Sequence, residues 1–380
     1  MEWKEILFDD FCRLNRGFDL PNNNIVEGDV PVVASSSIKA FHNVAKVKGP
    51  GVVTGRSGTL GIVQYVEQDY WPLNTSLYVK DFKGNSPKFC YYFLQMMHLE
   101  NFNAGAGVPT LNQNHLHKLK IKVPATYDEQ EKVASVLSNY DTLIDINAKR
   151  IKLLEESARE LYKEWFARMR FPGYEKAKFV KGIPVGWDVK TIDEICDSVG
   201  GGTPSTSNAK YWGGKIKWVT PTDITSKQSL PLINIEGRIT EAGLRQSSTK
   251  LLPAGAILMT SRASIGFFGI CKEQVCTNQG FISIIPNEEN LRMYMLCNLM
   301  MRREEIISNA NGATFLEISK GRFRKMEMLI PNNDVLSAFE ERCSTTFDAV
   351  YNLEIQNQDL TATRDRLLPR LLSGELKVKA

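Results

Sequence analysis

The stretch TSRASIG, residues 260–266, has a near-copy at residues 54–61, TGRSGTLG. Both read Thr-x-Arg, then small residues, an aliphatic residue and Gly, and the two arginines, Arg56 and Arg262, stand 206 residues apart. The match continues downstream of both copies. After Arg56 come the strand-like LGIVQYV, then Asn74-Thr75-Ser76 and the apolar LYV; after Arg262 come IGFFGIC, Thr277-Asn278-Gln279-Gly280 and FISII. An amphipathic helix is expected next in each half, from Phe89, Tyr92, Phe93 and Met96 and from Leu291, Tyr294, Met295 and Asn298 with Leu299, all at i, i+3, i+4, i+7. GVPTLN (107–112) then matches GATFLE (312–317), and KLKIKVP (118–124) matches KMEMLIP (325–331), alternating strands each closed by Pro. The offset holds near 205–207, so the chain carries an internal duplication of an α+β unit.

Each copy is followed by a helical region. From Asp128 to about Met169 there is no Pro and no Gly. Val133, Val136, Tyr140 and Leu143 step by 3, 4 and 3, and Ile151, Leu154, Ala158, Leu161 and Trp165 by 3, 4, 3 and 4. The path 143–147–151 between them inserts an extra four-residue step, a stutter, with Asn147 in the seam. The second region runs from Asp334 to about Arg366, with Phe339, Cys343, Phe347, Val350, Leu360, Leu367 and Leu371 as its apolar face and Pro369 expected to stop or kink it. A forty-residue helix would be ~60 Å long. Its narrow stripe then calls for a partner, so the two helices are expected to pack as an antiparallel pair; the alternative is that each folds back on its own globule. The expected order is globule 1–125, helix 126–171, globule 172–332 and helix 333–380, with a break at Phe171-Pro172-Gly173 and an approximate internal two-fold.

Composition bounds the class. The 380 residues are 43% hydrophobic and 24% charged, ordinary for a globular protein of two or three domains. A net charge of +4 permits a nucleic-acid partner without requiring one. The most apolar run, MYMLCNLMM (293–301), is far short of the ~20 residues of a membrane span. MEWKEILFDD at the start is acidic and aromatic, unlike a signal peptide, so no membrane partner and a cytoplasmic location are expected. Seven scattered cysteines with no CxxC pair suit buried reduced thiols, and no metal site is read from them.

Catalytic signatures are not found. VGGGTPSTSN (199–208) lacks the Gly-Lys-Ser/Thr of a phosphate loop and reads as a flexible turn; GPGVV (49–53) is a turn before a strand. There is no Asn-Pro-Pro-Tyr or Asp-Pro-Pro-Tyr run of the kind base-methylating enzymes use. His115 and His117 would share a strand face, but their repeat counterparts are Arg322 and Arg324, so a phosphate-facing or solvated edge is expected rather than a metal pair. Glu155-Glu156 and Glu340-Glu341 are expected on solvated helix faces. No catalytic residue, metal ligand or cofactor is assigned.

The matched loops instead carry side chains that read base edges: Arg forks onto guanine, and Asn or Gln bonds adenine at two points. In the first half these are Arg16, Ser36, Lys39, Arg56, Ser57, Asn74, Thr75, Thr110, Asn112 and Gln113. In the second they are Thr203, Lys217, Thr222, Arg262, Ser264, Asn278 and Gln279. Ser, Thr and Asn favour turns anyway, so the arginines carry most of the weight. Two similar readers would meet two half-sites about one helical turn of DNA apart, ~34–36 Å, and their differing loops imply an asymmetric, split target.

At this point the whole chain resembles the specificity subunits of type I restriction–modification systems. WKEILFDDFCRLNRGFDLP is similar to the start of a target recognition domain in that family. GIPVGWDVKTIDEICDSVGGGTPSTSNAKYWGGKIKWVTPTDI, with its Pro-x-Gly-Trp entry, Gly-Gly-Thr-Pro turn and Ile-x-Trp-Val strand, resembles a second such start. LLEESARELYKEWF and RDRLLPRLLSGEL resemble the ends of the family's two helical spacers. The resemblance implies two α+β target recognition domains, 1–125 and 172–332, on an antiparallel coiled-coil spacer. It implies a non-enzymatic role: binding bipartite double-stranded DNA and recruiting methyltransferase subunits, normally two, and restriction subunits. Adenine methylation and ATP-driven cleavage, with S-adenosylmethionine, ATP and magnesium, would belong to those partners. Trp165 and Phe166 are expected to pack in the core, with partner docking the alternative if they are exposed. Base-contact residues do not transfer by motif, so the site residues rest on the loop argument. Rival readings are an autonomous DNA-binding regulator, a scaffold that reads no DNA, and a fragment of a fused methyltransferase–nuclease; the last is disfavoured because the chain begins and ends on the duplicated pattern.

Overall fold

The structure, a computed structural model, describes residues 2–226, 229–312 and 316–378. Ala313, Thr314 and Phe315 of the GATFLE match lie outside the described residues. The chain forms two compact units. The first comprises Met1–Ile144 with Asp359–Ala380, and the second Asp145–Gln358.

Among the described residues the first unit contains nine strands: β1 (Trp3–Leu7), β2 (Arg13–Arg16), β3 (Val30–Val33), β4 (Ile38–His42), β5 (Gly51–Gly55), β6 (Val63–Val66), β7 (Trp71–Pro72), β8 (Ser76–Asp81) and β9 (Lys120–Pro124). They form three sheets: an antiparallel pair β1-β9, a four-stranded sheet β2-β8-β5-β6, and a three-stranded sheet β4-β3-β7. In the last, β3 runs parallel to β7. The second unit adds a small hairpin, β10 (Phe179–Val180) with β11 (Ile183–Pro184). It then builds the same three sheets from β12 (Asp188–Thr191), β13 (Cys196–Gly200), β14 (Trp212–Val219), β15 (Arg238–Ile239), β16 (Ile257–Thr260), β17 (Phe268–Ile270), β18 (Val275–Thr277), β19 (Phe281–Pro286) and β20 (Glu327–Ile330). The pairings are β12-β20, β13-β19-β16-β17 and β15-β14-β18, again with one parallel contact, β14 to β18. The duplication thus extends from loops to strand order. Helices Pro87–Met96 and Arg292–Met301 occupy matching places, each burying a row of aromatic and aliphatic side chains. Phe11 meets Phe93 at 5.1 Å in the first core, and Phe166 meets Tyr294 at 4.7 Å in the second.

The register of one match shifts. Leu111 is buried and its N–H bonds to the Arg56 carbonyl; the buried residue bonded to the second loop is Ile318, whose N–H reaches the Ser261 carbonyl. Asn112 caps the short helix Gln113–His117, and Ser319 caps Lys320–Arg324. The counterpart of Leu111 is therefore Ile318, not Leu316 as the letters suggest.

That short helix also corrects the histidine expectation. His115 and His117 lie on a helix, not a strand. His117 is only 12% exposed, and its Nε2 accepts the Leu14 N–H of β2 at 3.1 Å. Its counterpart Arg324 donates from Nη2 to the Ser198 carbonyl of β13 at 2.9 Å and pairs with Asp193. His and Arg interchange here because each ties the short helix to the same strand, by opposite hydrogen-bond roles.

The first long helix is Tyr127–Tyr162 and the second Asn333–Leu372. Up to Ile144 the first packs in the first unit, with Val133, Ala134 and Leu137 buried and Val136 against them, in the same core as Leu371, Leu372 and the half-buried Leu367. Asp141 there pairs with Arg364. In the second unit Ile151, Val350 and Leu353 form a cluster with Leu154. Asn147 donates to Gln356 Oε1 and Asn357 Oδ1 at 2.9 and 3.0 Å. Partner numbers fall as helix numbers rise, so within each unit the helical segments run antiparallel. They also pack on the globules: Val133 and Leu137 of the first helix lie in the first unit's core and Phe347 of the second helix against the second unit's, while Leu161 at the far end of the first helix also lies against the second. The two packing alternatives coexist.

Several helical expectations are revised. Leu143 is 48% exposed, whereas Leu137 is buried and Ile144 half-buried. Read through these, 133, 137, 140, 144, 147, 151, 154, 158, 161 and 165 alternate steps of 4 and 3 without a stutter; Tyr140, like Leu360 on the other helix, is half-buried. Pro369 does not stop its helix, which continues to Leu372. A Pro three residues from the end forfeits only its own N–H bond, and the buried Leu371 and Leu372 hold the last turn. Trp165 and Phe166 are buried and unavailable for docking. They lie in a π-helical turn, Lys163–Ala167, where the Arg168 N–H reaches back five residues to the Lys163 carbonyl at 2.8 Å and the widened turn turns both rings inward.

Glu155 and Glu340 are not solvated. Glu155 accepts the Leu230 N–H at 2.8 Å and pairs with Arg159. Glu340 accepts the Met293 N–H at 2.8 Å and pairs with Arg292. Burial raises both carboxyls above their ordinary value, against the pull of these partners. Glu156 and Glu341 are exposed.

Candidate nucleic-acid interface

The repeated loop begins where the central strand of each four-stranded sheet ends. Thr54 and Thr260 are both buried, and their hydroxyls turn back into the loop, Thr54 Oγ1 donating to the Ile62 carbonyl at 2.9 Å and Thr260 Oγ1 to the Ser264 carbonyl. The loops close at Gly61 and Gly266, with φ of 87° and 75°, a conformation that glycine adopts without strain. Each turn thus closes on a left-handed Gly, but the letters are shifted by one: the carbonyl that accepts the Leu111 N–H belongs to Arg56, and the one that accepts the Ile318 N–H belongs to Ser261.

In the first unit three segments are stitched together around Arg56. Its N–H and that of Ser57 donate to the Thr75 carbonyl at 2.8 and 3.1 Å, and Gly58 donates to the Pro109 carbonyl. Ser57 bridges Thr110. The Arg56 Nε donates to the Asn74 carbonyl at 2.8 Å. Asn74 in turn bonds Asp19, which pairs with Arg16. Arg16, Arg56, Ser57, Asn74, Thr75, Thr110, Asn112 and the adjoining Gln113 therefore form one half-exposed surface. Ser36 lies in the turn between β3 and β4, and Lys39 on β4 donates to Asn22 Oδ1 at 3.0 Å; neither is hydrogen-bonded to the Arg56 cluster among the described residues. Asp19 was missed by the sequence reading, because its link to Asn74 spans 55 residues with no motif to mark it.

In the second unit Ser261 donates to the Gly280 carbonyl at 2.8 Å, and the Gly280 N–H is held by Asn278 Oδ1 at 2.9 Å. Gln279 bonds the Thr203 hydroxyl. These bonds bring the loop that carries Arg262 and Ser264 beside the segment that carries Asn278 and Gln279, on which Thr203 rests. The Gly-rich turn that carries Thr203 is fixed by two indoles: Trp218 Nε1 donates to the Gly202 carbonyl at 3.0 Å and Trp212 Nε1 to the Ser205 carbonyl at 3.1 Å. Lys217 is 19% exposed and paired with Glu273 at 2.7 Å, so its charge is already matched. Thr222 is exposed on the short helix Pro221–Thr225. Glu317, also missed by the sequence reading, grips Arg262: both Nε and Nη2 donate to its Oε2, at 3.3 and 3.2 Å.

Such a surface offers guanidinium forks, amides and hydroxyls on a fixed backbone, and it occurs once per unit. All seven cysteines are free and buried. No helix among the described residues is long and apolar enough to cross a membrane.

A family model described as type I restriction modification DNA specificity domain matches residues 1–156 and again 184–361, one match for each copy of the duplicated fold. The chain belongs to the type I restriction–modification DNA specificity family. Among curated members, the MjaIX specificity subunit of Methanocaldococcus jannaschii is 35% identical over 180 residues, 47% of this chain and 42% of that protein. The HindI specificity subunit of Haemophilus influenzae is 27% identical over 198 residues, 51% of this chain and 42% of its own length. The matches thus span less than half the length of these two relatives. A crystal structure of the type I restriction–modification S subunit from M. genitalium shares the fold, with a TM-score of 0.65 over 98% of this chain and 96% of that one at 15% identity. This specificity-family chain carries an arginine-bearing loop after the same strand in each matched region, with Arg262 and Glu317 forming the bridge that Ser57 and Thr110 form in the first, and the family model finds the same duplication that the sheets display.

Proposed function

We propose that this chain reads a bipartite double-stranded DNA target, one half-site per unit, and recruits methyltransferase and restriction subunits to it. The observation that supports the reading most is the recurrence of an arginine-bearing loop after the same strand in two copies of a three-sheet unit, with the arginine one residue further along in the second. Residues 1–125 and 172–332 act as the target recognition domains, and the long helices act as the spacer that sets how many base pairs separate the half-sites. The chain itself performs no catalysis. Adenine methylation and ATP-dependent cleavage fall to the partners, which bind S-adenosylmethionine, ATP and magnesium. The reading is supported by a surface rich in base-reading side chains, with acidic groups there engaged in pairs with arginine.

Combining the chain with the methyltransferase encoded beside it tests this. Methylation should depend on the chain and mark adenines in one split sequence, and specific binding should weaken steeply as salt rises, because phosphate contacts release counterions. If no complex forms and the methylation pattern is the same without the chain, the reading fails in favour of an autonomous DNA-binding protein or a scaffold.

A further inference from the structure

The two arginine loops differ in register: Arg262 and Glu317 form the bridge that Ser57 and Thr110 form in the first unit. Arg56 is fixed by a single bond from Nε to a backbone carbonyl, and its two terminal nitrogens have no hydrogen-bond partner among the described residues. Arg262 is gripped side-on by a carboxylate, through Nε and Nη2, with both donating to Glu317 Oε2. Glu317 is itself held by its backbone, exchanging two N–H···O bonds with Asn311 at 2.9 Å each. On either side of it the Leu316 carbonyl accepts from Ala263 and the Ile318 N–H donates to Ser261, which lash its strand to the arginine loop. The pair is open to solvent, at 46% and 43% side-chain exposure.

We propose that Glu317 is the positioning and specificity residue of the second half-site, and that the Arg262–Glu317 pair reads one G·C base pair from the major groove. This rests on the proposed reading of the loops as base-contacting. A guanidinium has two edges that can each make paired hydrogen bonds. With the Nε–Nη2 edge against Glu317, the Nη1–Nη2 edge is left to point away from it and can fork onto guanine O6 and N7. Glu317 Oε1, which has no hydrogen-bond partner among the described residues, is an acceptor beside that fork. Two donors followed by an acceptor complement the acceptor, acceptor, donor edge that guanine N7 and O6 and cytosine N4 present in the major groove. The carboxylate also offsets the arginine charge and repels phosphate, so Arg262 is steered from backbone contacts toward base edges. Arg56, with no such partner, keeps its full attraction for phosphate.

The test is selection of a randomised duplex pool by the full chain with its methyltransferase subunit, followed by sequencing. Wild type is compared with Arg262→Ala, Glu317→Ala and Glu317→Asp. Arg262→Ala and Glu317→Ala should each lower the preference for the same G·C pair about tenfold, leaving the other half-site unchanged, and Glu317→Asp should restore part of it. Glu317→Ala should also steepen the salt dependence, because a phosphate-seeking arginine is released. The inference is overturned if Glu317→Ala strengthens binding to all duplexes with unchanged base preference, which would make Glu317 a mere charge neutraliser. It is equally overturned if both half-sites fade together while amide exchange shows the second unit loosened, which would make its role structural. If the wild type selects no sequence, the functional reading itself has failed, and that is read before any variant is compared.

Discussion

Arg56 follows directly on the end of β5, whereas Arg262 stands one residue further past the end of β16, and they are held by different atoms, a backbone carbonyl and a carboxylate. The Thr-x-Arg…Gly pattern was legible because a buried hydroxyl and a left-handed glycine constrain the letters directly. The partners were not, since Asp19 and Glu317 each lie 55 residues in sequence from the side chain they hold. Arg56→Ala should lower discrimination at one half-site and Arg262→Ala at the other, each by ~1–3 kcal/mol if the contact is a bidentate one to guanine, as measured by competition binding with single-base variants of the target. His117 supports a second prediction. Burial holds its imidazole below the ordinary 6.5, with Asp9 opposing and Arg13 assisting. The neutral ring is the form that can accept the Leu14 N–H. Because the unfolded chain takes up this proton first, the stability it contributes is complete above pH 6.5 and is lost as pH falls from there through the lower folded value. His117→Gln, which keeps an acceptor, should flatten that loss in the first unit, as followed by amide exchange between pH 7 and 5.

On the long helices, the existence and rough extent of each element could be read from the absence of Pro and Gly, but the buried stripe could not be fixed by spacing alone. Steps of 3 and 4 can be threaded through Val136 and Leu143 or through Leu137 and Ile144, and only tertiary contacts choose. Leu137→Ala should cost ~2–5 kcal/mol, whereas Leu143→Ala, at a 48% exposed position, should change stability by less than ~0.5 kcal/mol; chemical denaturation compares them. A buried amide among apolar neighbours fixes the register of a helix pair, and Asn147 with Gln356 and Asn357 does so in the second unit. The buried glutamates act in the opposite sense to His117. Their folded values lie above the ordinary 4.5, so the folded chain holds these protons more tightly and stability declines as pH rises from 4.5 through the raised values. Glu155→Gln, which still accepts the Leu230 N–H, should lose less than the native chain between pH 4.5 and 7, read from amide exchange in the second unit.

For the molecule as a whole, the duplicated sheet order was foreshadowed by the repeat, but the division into units was not. Sequence order suggests four consecutive segments, whereas packing gathers Met1–Ile144 with Asp359–Ala380 and leaves Asp145–Gln358 as one continuous stretch. Leu371 and Leu372 sit in the first core, and Gly374 lies so close to the Trp3 indole that a Cβ on it would stand 2.6 Å from the ring. Ending the chain after Gln358 should therefore expose the first unit to protease while the second keeps its protection, as limited proteolysis would show. The same arrangement orders events on the ribosome. At ~5–20 residues per second, the second unit is complete as a stretch of chain while the first still waits for its closing helical turns, for on the order of ten seconds or more after Ile144 has emerged. The part translated earliest is thus among the last to be sealed, and nascent chains halted shortly before residue 359 should carry a protected second unit and an open first one.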